Sequence, residues 1–334
     1  GMYCLLKSLN MGEKTGPCPE LIYCYIFGGT VWSLLSWESR ALRDSTIGLN
    51  STKMAGDKML EGSAYISLSI VLFMFNRTLE GLENAKKGIS LLKGLGEYWD
   101  LGIGYVFRIQ HSLIAGRLHE AFAASEEFLA LAKETQALQN LGWAYVLRGK
   151  TLALLGDVTD QTIEEIKRGL ALLEKTNDKA NFLFGVSILS LAYLRKRRHH
   201  ESIQTVERVL NLLPTHYSYG SWTLELFPLC AQSYLDSMRD LSELSKEKKK
   251  IYLKKAHWFC KKSFKWSKNF NFITGWTCQV NGTYHWVTNR KQDAVRNWES
   301  GITYLRDQTE DRYRLGYILM EAGSYLIHEH NNSD

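Results

Sequence analysis

Residues 186–214 read VSILSLAYLRKRRHHESIQTVERVLNLLP. Two stretches with helical apolar spacing flank a basic turn, and the second stops at Pro214, which cannot continue a helix. Leu189-Ser190 and Tyr193 come first, then Ser202, Val206, Val209 and Pro214, at steps of 1, 3, 9, 4, 3 and 5 residues. A large residue, a small one, an aromatic and further packing positions recur in this order for a steric reason. Two antiparallel helices need small side chains where their axes come closest and bulky ones where a gap must be filled. One such hairpin cannot bury its own apolar face, so the pattern predicts a stack of them.

The register extends along the chain. The small slot of the first helix falls at Gly29, Ser69, Ile109, Gly149, Ser190, Ala231 and Gly282, at intervals of 40, 40, 40, 41, 41 and 51. The small slot of the second helix falls at Ala41, Gly81, Ala121, Gln161 or Thr162, Ser202, Ala256 and Ala294. The next packing slot falls at Gly48, Gly88, Phe128, Gly169, Val209, Ser263 and Gly301. Ile109 and Phe128 break the small-residue rule, so that hairpin is expected to be splayed or shifted. The long interval has a visible cause in DSMRDLSELSKEKKK (residues 236–250), a charged insertion between the two helices of one unit. Asn76-Arg77, Gly116-Arg117, Gly156-Asp157 and Asn289-Arg290 mark turns. Thr162 with Glu165 reads as a capping box.

The expected fold is therefore all-α, a right-handed α-α superhelix of helical hairpins with a period of about 40 residues. Residues 1–18 read as part of a preceding repeat and a linker, residues 19–309 as about seven hairpins, and residues 310–334 as a closing helix with a frayed end. On this reading the chain begins inside a hairpin, as a piece of a longer protein would.

Composition agrees. Of 334 residues only four are proline, 45% are hydrophobic and 23% charged, with a formal charge of +6. So few helix breakers disfavour an all-β chain, and so much apolar content excludes wholesale disorder. The six cysteines form no CxxC or zinc spacing and read as free thiols of a cytoplasmic protein. Residues 21–37, LIYCYIFGGTVWSLLSW, carry no charge and lie at the short limit for a membrane span. Gly28-Gly29 at their centre and the absence of a flanking basic cluster favour a buried helix, with membrane association as the alternative.

With these residues in place, the chain resembles tetratricopeptide-type α-solenoids over nearly its whole length. The period near 40 is similar to that of the arrays in STAND-type ATPase regulators and in soluble-type class III adenylyl cyclases. Trp276, Gly282, Tyr284, Trp286, Lys291, Ala294 and Trp298-Glu299 resemble the tryptophan-rich unit near the end of those proteins. Tyr313-Arg314-Leu315-Gly316 and Glu321-Ala322-Gly323-Ser324-Tyr325-Leu326 resemble their terminal helix. The match departs at Arg314, where that pattern has an acid, and at Ala322. The resemblance implies signal transduction by protein–protein interaction, with this chain as the scaffold or sensory arm of a larger signalling protein. It carries over no catalytic chemistry. The chain has no GxxxxGK[ST], and Gly28-Gly29-Thr30 sits in an apolar helix.

No catalytic, cofactor or metal set stands out. His328-x-His330 and His199-His200 are too sparse to define a metal site. The first helices of such arrays line the concave surface, so the register nominates a groove of Ile66, Ile70 and Phe73, then Val106, Gln110 and Leu113. Phe184, Leu191, Leu194 and Arg195 follow, then Trp276, Gln279, Thr283 and Trp286. This face reads as apolar and aromatic, suited to a helical or apolar segment of a partner protein, or to an adjacent segment of a parent chain. Arg195, Lys196, Arg197 and Arg198 form a basic run that reads as a solvated turn or as a contact for an acidic partner. Residues 246–268 interleave lysines with aromatics. Nucleic-acid binding is the alternative there, disfavoured because the aromatics repeat at helical spacing.

Overall fold

The computed structural model of the chain describes residues 2–15, 18–213, 223–241 and 244–330. All regular structure among them is helical. The helices are α1 (Met2–Thr15), α2 (Pro19–Leu34), α3 (Glu38–Ala55), α4 (Lys58–Met74), α5 (Thr78–Leu92) and α6 (Tyr98–Ile114). Next come α7 (Leu118–Glu134), α8 (Leu138–Leu155), α9 (Asp160–Lys175), α10 (Lys179–Arg195) and α11 (His199–Leu212). The last are α12 (Leu226–Asp240), α13 (Lys246–Ser267), α14 (Thr274–Val287), α15 (Lys291–Asp307) and α16 (Arg312–His330), with a 3-10 turn at Asn271–Ile273.

The helix order matches the repeat register. First helices are α2, α4, α6, α8, α10, α12 and α14, and each is followed by its second helix. Tight turns between helices place Asn76, Asn177 and Asn289 at φ 56 to 60 and Gly116 and Gly156 at φ 73 and 88. These are the residue types that tolerate the left-handed region. Pro17 and Pro214 lie outside the described residues.

The small slots are where helices touch. A Cβ at Gly29 would meet the Ser45 Oγ and Ala41 backbone of α3, and one at Gly48 would meet Ile26. Gly149 of α8 receives Ile166 of α9, Gly282 of α14 receives Trp298 of α15, and Gly301 receives Cys278. Ser190 reaches the same end by hydrogen bonding, with its Oγ 2.8 Å from that of Ser202.

The chain divides into two compact units, Gly1–Ser112 and Leu113–Asp334. The division falls inside α6, the first helix whose small slot holds Ile109. In the first unit, α1 packs Leu5 and Leu9 with Trp32, Ala41 and Val71. A second cluster joins Ile22, Ile26, Leu49, Ala64, Leu68 and Leu72. Trp32 donates to Asp44 Oδ2 at 2.7 Å, and the Arg40 guanidinium lies 4.1 Å from the Trp32 ring centroid. The uncharged stretch of residues 21–37 is mostly α2, with Ile22, Ile26, Gly28, Gly29 and Trp32 buried but Tyr23 and Phe27 exposed. No helix among the described residues is long and apolar enough to cross a membrane.

Two local expectations need correction in the second unit. The cap of α9 is Thr159, not Thr162. Thr159 accepts from the Thr162 backbone, and Thr162 Oγ1 accepts from the Thr159 backbone at 3.2 Å. Glu165 instead meets Arg148 of α8. The charged insertion of residues 236–250 is largely helical. α12 runs on to Asp240, α13 begins at Lys246, and the added length makes α13 the longest helix described, at 22 residues.

Candidate functional site

The first-helix face of each unit has its own character. In the first unit the nominated residues are mostly interior. Ile66 is wedged against Gly88 of α5 and Gly104 of α6, and Phe73 meets Phe107 and His111 edge-on at 5.3 and 5.7 Å. Gln110 is buried, while Ile70 and Val106 are half-buried. The His111 ring fills the notch at Gly81, with Nε2 3.2 Å from the Ser69 carbonyl. Desolvation there pushes its pKa down to about 4, against the opposing pull of that carbonyl.

In the second unit the corresponding face is polar, and a helix lies on it. α16 anchors on the last hairpin through Ile318 and Ala322, which cluster with Ala294, Trp298 and Leu305. The Tyr325 ring is stacked on Trp298 at 5.7 Å and tilted against Trp286 at 5.7 Å. One edge of α16 then presents Arg314, Tyr317 and Glu321 to the first helices. Spaced three and four residues apart, they form one helical stripe. The Arg314 guanidinium sits 3.1 Å from the Trp276 ring centroid. Gln232 of α12 donates to the Tyr317 hydroxyl at 2.7 Å, and the Arg195 guanidinium of α10 lies 5.7 Å from the same ring. Thr283 Oγ1 donates to Glu321 Oε1 at 2.8 Å, and Gln279 donates to Glu321 Oε2. Near the start of α16, Gly116 approaches Arg312, with its Cβ position 3.3 Å from the Arg312 Cβ.

This face has a buried ionic floor. Lys150 of α8 pairs with Glu225, both almost wholly enclosed, and its ammonium lies 5.3 Å from the Phe184 ring centroid. Asp311 caps α16 by accepting from the Arg314 backbone N–H at 2.8 Å. Burial pushes the Asp311 carboxyl up to about 7, against the pull of Arg314 and Lys150. Burial and then the neighbouring Asp236 charge push Glu321 up to about 7. The Lys150 ammonium is held below its usual range by desolvation, although Glu225 opposes this. Asp236, raised by burial, is partnered by Gln232 at 3.2 Å and Arg239 at 3.6 Å.

Arg195, Trp276, Gln279, Thr283 and Trp286, all named from the register, therefore meet α16. Leu113, Phe184 and Leu191 are buried, and Leu194 is half-buried. The expectation of an apolar face does not hold in this unit. The register reading took no side chains from α8 or α12, and those helices supply Lys150, Gln232 and Asp236. Lys150 is visible as one of only two charges in α8, the other being Arg148, and Arg314-x-x-Tyr317-x-x-x-Glu321 as a polar stripe.

Of the basic run, Arg195 turns inward and donates to the Ala153 carbonyl at 3.0 Å. Lys196 and Arg198 converge on Asp160 Oδ1 at 3.8 and 3.5 Å, Arg197 occupies a left-handed turn at φ 55, and Arg198 also pairs with Glu201 at 2.7 Å. On α13, Ala256, Phe259, Cys260 and Ser263 are buried, whereas Trp258 and Phe264 are exposed beneath Lys262 and Lys268. His199 is buried beside Asp240 at 3.6 Å. The side chains of His328 and His330 lie outside the described residues, among which no cluster of three metal-ligating groups occurs.

No family model and no curated protein matches the chain. Solved structures do. RapI in its apo form aligns with a TM-score of 0.62 at 11% identity, covering 85% of this chain and 97% of that one. A Rap protein complexed with Competence and Sporulation Factor aligns at 0.59 and 12%, covering 95% and 80%. A STAND protein with a tetratricopeptide repeat sensor from Pyrococcus horikoshii aligns at 0.52 and 10%, covering 86% of this chain and 43% of that one. The fold is a tetratricopeptide-like helical repeat. At such identities the likeness is one of fold, and the chain spans less than half of the STAND protein's length.

Proposed function

We propose that this chain is a protein-interaction module, the regulatory arm of a larger signalling protein, whose first-helix face in residues 113–334 binds a helical segment. The carrying observation is α16. A helix already lies on that face, held by side-chain contacts from α10, α12 and α14. Helix-in-groove recognition reads a partner at such spacings. The Rap protein that shares the fold was solved with Competence and Sporulation Factor bound, and this supports a peptide or protein partner. Six free thiols suit the cytoplasm. The reading requires no cofactor and no reaction of the chain itself.

The test is selection from a displayed library of amphipathic helices against the intact chain, with fragments of the parent protein in parallel. Enriched helices should carry an arginine, a tyrosine and an acid at the spacing of Arg314, Tyr317 and Glu321. Their binding should weaken at least tenfold in Gln232→Ala/Gln279→Ala. If neither a helix nor a parent fragment binds, or binding ignores that variant, the proposal fails.

A further inference from the structure

α16 is built as a first helix. Gly316 and Gly323 follow Gly275 and Gly282 of α14 by 41 residues, one repeat step. In two hairpins such a glycine pair, seven residues apart, is the notch that receives the second helix. Gly275 and Gly282 take Leu305 and Trp298, and Gly142 and Gly149 take Leu173 and Ile166. A Cβ at each of these glycines would lie within 2.9 Å of its neighbour. The inserted residues are also seven apart and run antiparallel to the notches. At Gly316 and Gly323, among the described residues, nothing lies within 4 Å of the Cβ position. The same side of α16 exposes Leu319 (50%), Met320 (64%), Leu326 (43%) and Ile327 (63%), opposite the buried Arg314, Ile318, Glu321 and Ala322.

We propose that this outward face of α16 pairs antiparallel with the same face of a second copy of the chain. The face carries both halves of the repeat's own helix–helix contact. Met320 and Ile327 are a bulky pair seven residues apart, and Gly316 and Gly323 are a notch pair of the same spacing. An antiparallel two-fold that sets Ile327 against Gly316 of the second copy also sets Met320 against Gly323 of the second copy. Symmetry then repeats both contacts in reverse, so all four notches and knobs are used at once. That self-complementarity is what an isologous interface requires, and it favours a second copy over an unrelated helix. Four side chains exposing roughly 100 Å² each give about 800 Å² over both copies, short of the roughly 1,000 Å² that a stable specific interface clears. The dimer is accordingly a weak one, with a dissociation constant in the micromolar range.

The experiment is sedimentation velocity of the intact chain from about 1 to 200 µM, with thermal unfolding of each variant at the lowest concentration. The wild-type chain should pass from monomer to dimer across this range. Gly316→Leu/Gly323→Leu should raise the dissociation constant at least tenfold without lowering the melting temperature of the monomer, because the new side chains meet only solvent there. Ile327→Glu, on a 63% exposed position, should abolish the dimer while leaving the monomer folded. A chain that stays monomeric at 200 µM overturns the proposal. So does a dimer indifferent to both variants, and so does a Cys introduced at 327 that is protected from thiol labelling in the monomer, which would mean another segment covers the face. These readouts do not involve the opposite edge of α16, so the outcome is separable from that of the helix-binding test.

Discussion

Gly282→Ala and Gly323→Ala are the same chemical change at equivalent positions of two repeats, and the structure predicts opposite signs. In both, replacing glycine inside a helix removes backbone freedom from the unfolded chain and stabilises by about 0.5–1 kcal/mol. At Gly323 nothing described stands within 4 Å of the new methyl, so that gain is the whole effect. At Gly282 the methyl would sit 2.3 Å from Cδ1 and Nε1 of Trp298. Trp298 is 2% exposed and held between Tyr325, at 5.7 Å and 15°, and Trp286, at 5.5 Å. Its ring cannot swing aside without moving both. Overpacking of this kind costs typically 1–3 kcal/mol, and each disturbed aromatic pair adds about 0.5–1.5 kcal/mol. The net expectation for Gly282→Ala is a loss of roughly 1–5 kcal/mol, and because the backbone gain is common to both, the two variants should differ by about 2–6 kcal/mol.

The assay is urea unfolding at about 1 µM, together with native-state hydrogen exchange, because repeat arrays can unfold piecewise and blur a single transition. Exchange should quicken in α14, α15 and α16 of Gly282→Ala and leave α2–α5 unchanged. If the two variants agree within about 0.5 kcal/mol, the small slots are not set by close helix approach, and the steric account of the repeat is wrong.

Three further outcomes follow from the inner face of the second unit. Lys150→Met leaves Glu225 enclosed without its cation and should cost about 3–5 kcal/mol in denaturant unfolding, most of it recovered in Lys150→Met/Glu225→Leu. Tyr317→Phe removes the 2.7 Å bond from Gln232 and should speed exchange of α16 by a factor matching about 0.5–1.5 kcal/mol, with the first unit unaffected. Asp311 and Glu321 sit near 7 when folded and near 4 when unfolded, so the folded state binds the extra protons between those values. Their contribution is fully present below about pH 4, declines as pH rises from there, and is lost once pH passes 7. Intrinsically corrected exchange of α16 should therefore be slower at pH 5.5 than at pH 8, and equal protection at the two would contradict it. His111, pushed down to about 4, has the reverse sign. It holds α4–α6 above pH 6.5 and releases them as pH falls toward 4.

The repeat was legible because its cause is local. Helix axes approach closely only where a small side chain recurs, and Gly29, Gly149 and Gly282 are found in those contacts, with the period written directly into the residues. The occupant of the inner face was not legible from the same signal. Which first helices face α16 depends on how many hairpins separate them from it, a property of accumulated rotation rather than of spacing. Arg195, Trp276, Gln279 and Thr283 are named by the first-helix register of α10 and α14, which says nothing of the helix that covers them. Lys150 and Gln232 lie on α8 and α12, whose side chains the register leaves out. The capping of α9 illustrates the opposite scale. Thr162 followed by Glu165 fits the capping-box spacing, but the cap is Thr159, one turn of backbone earlier, with Thr162 buried.

The two sides of α16 do different work. Its apolar side, with Ile318, Ala322 and the Tyr325 stack, gains from burial and is indifferent to the identity of the edge residues. Its polar edge gains little in net terms, because each hydrogen bond replaces one with water and each enclosed ion pair has lost its hydration. What that edge supplies is discrimination. A helix that covered the face without an acid opposite Gln279 and Thr283, or without a hydroxyl opposite Gln232, would strand buried donors at about 1–3 kcal/mol each. Two such mismatches reduce affinity by more than a hundredfold at the middle of that range. A face of this kind therefore rejects most helices while holding the right one only moderately. That combination suits an occupant that can be exchanged.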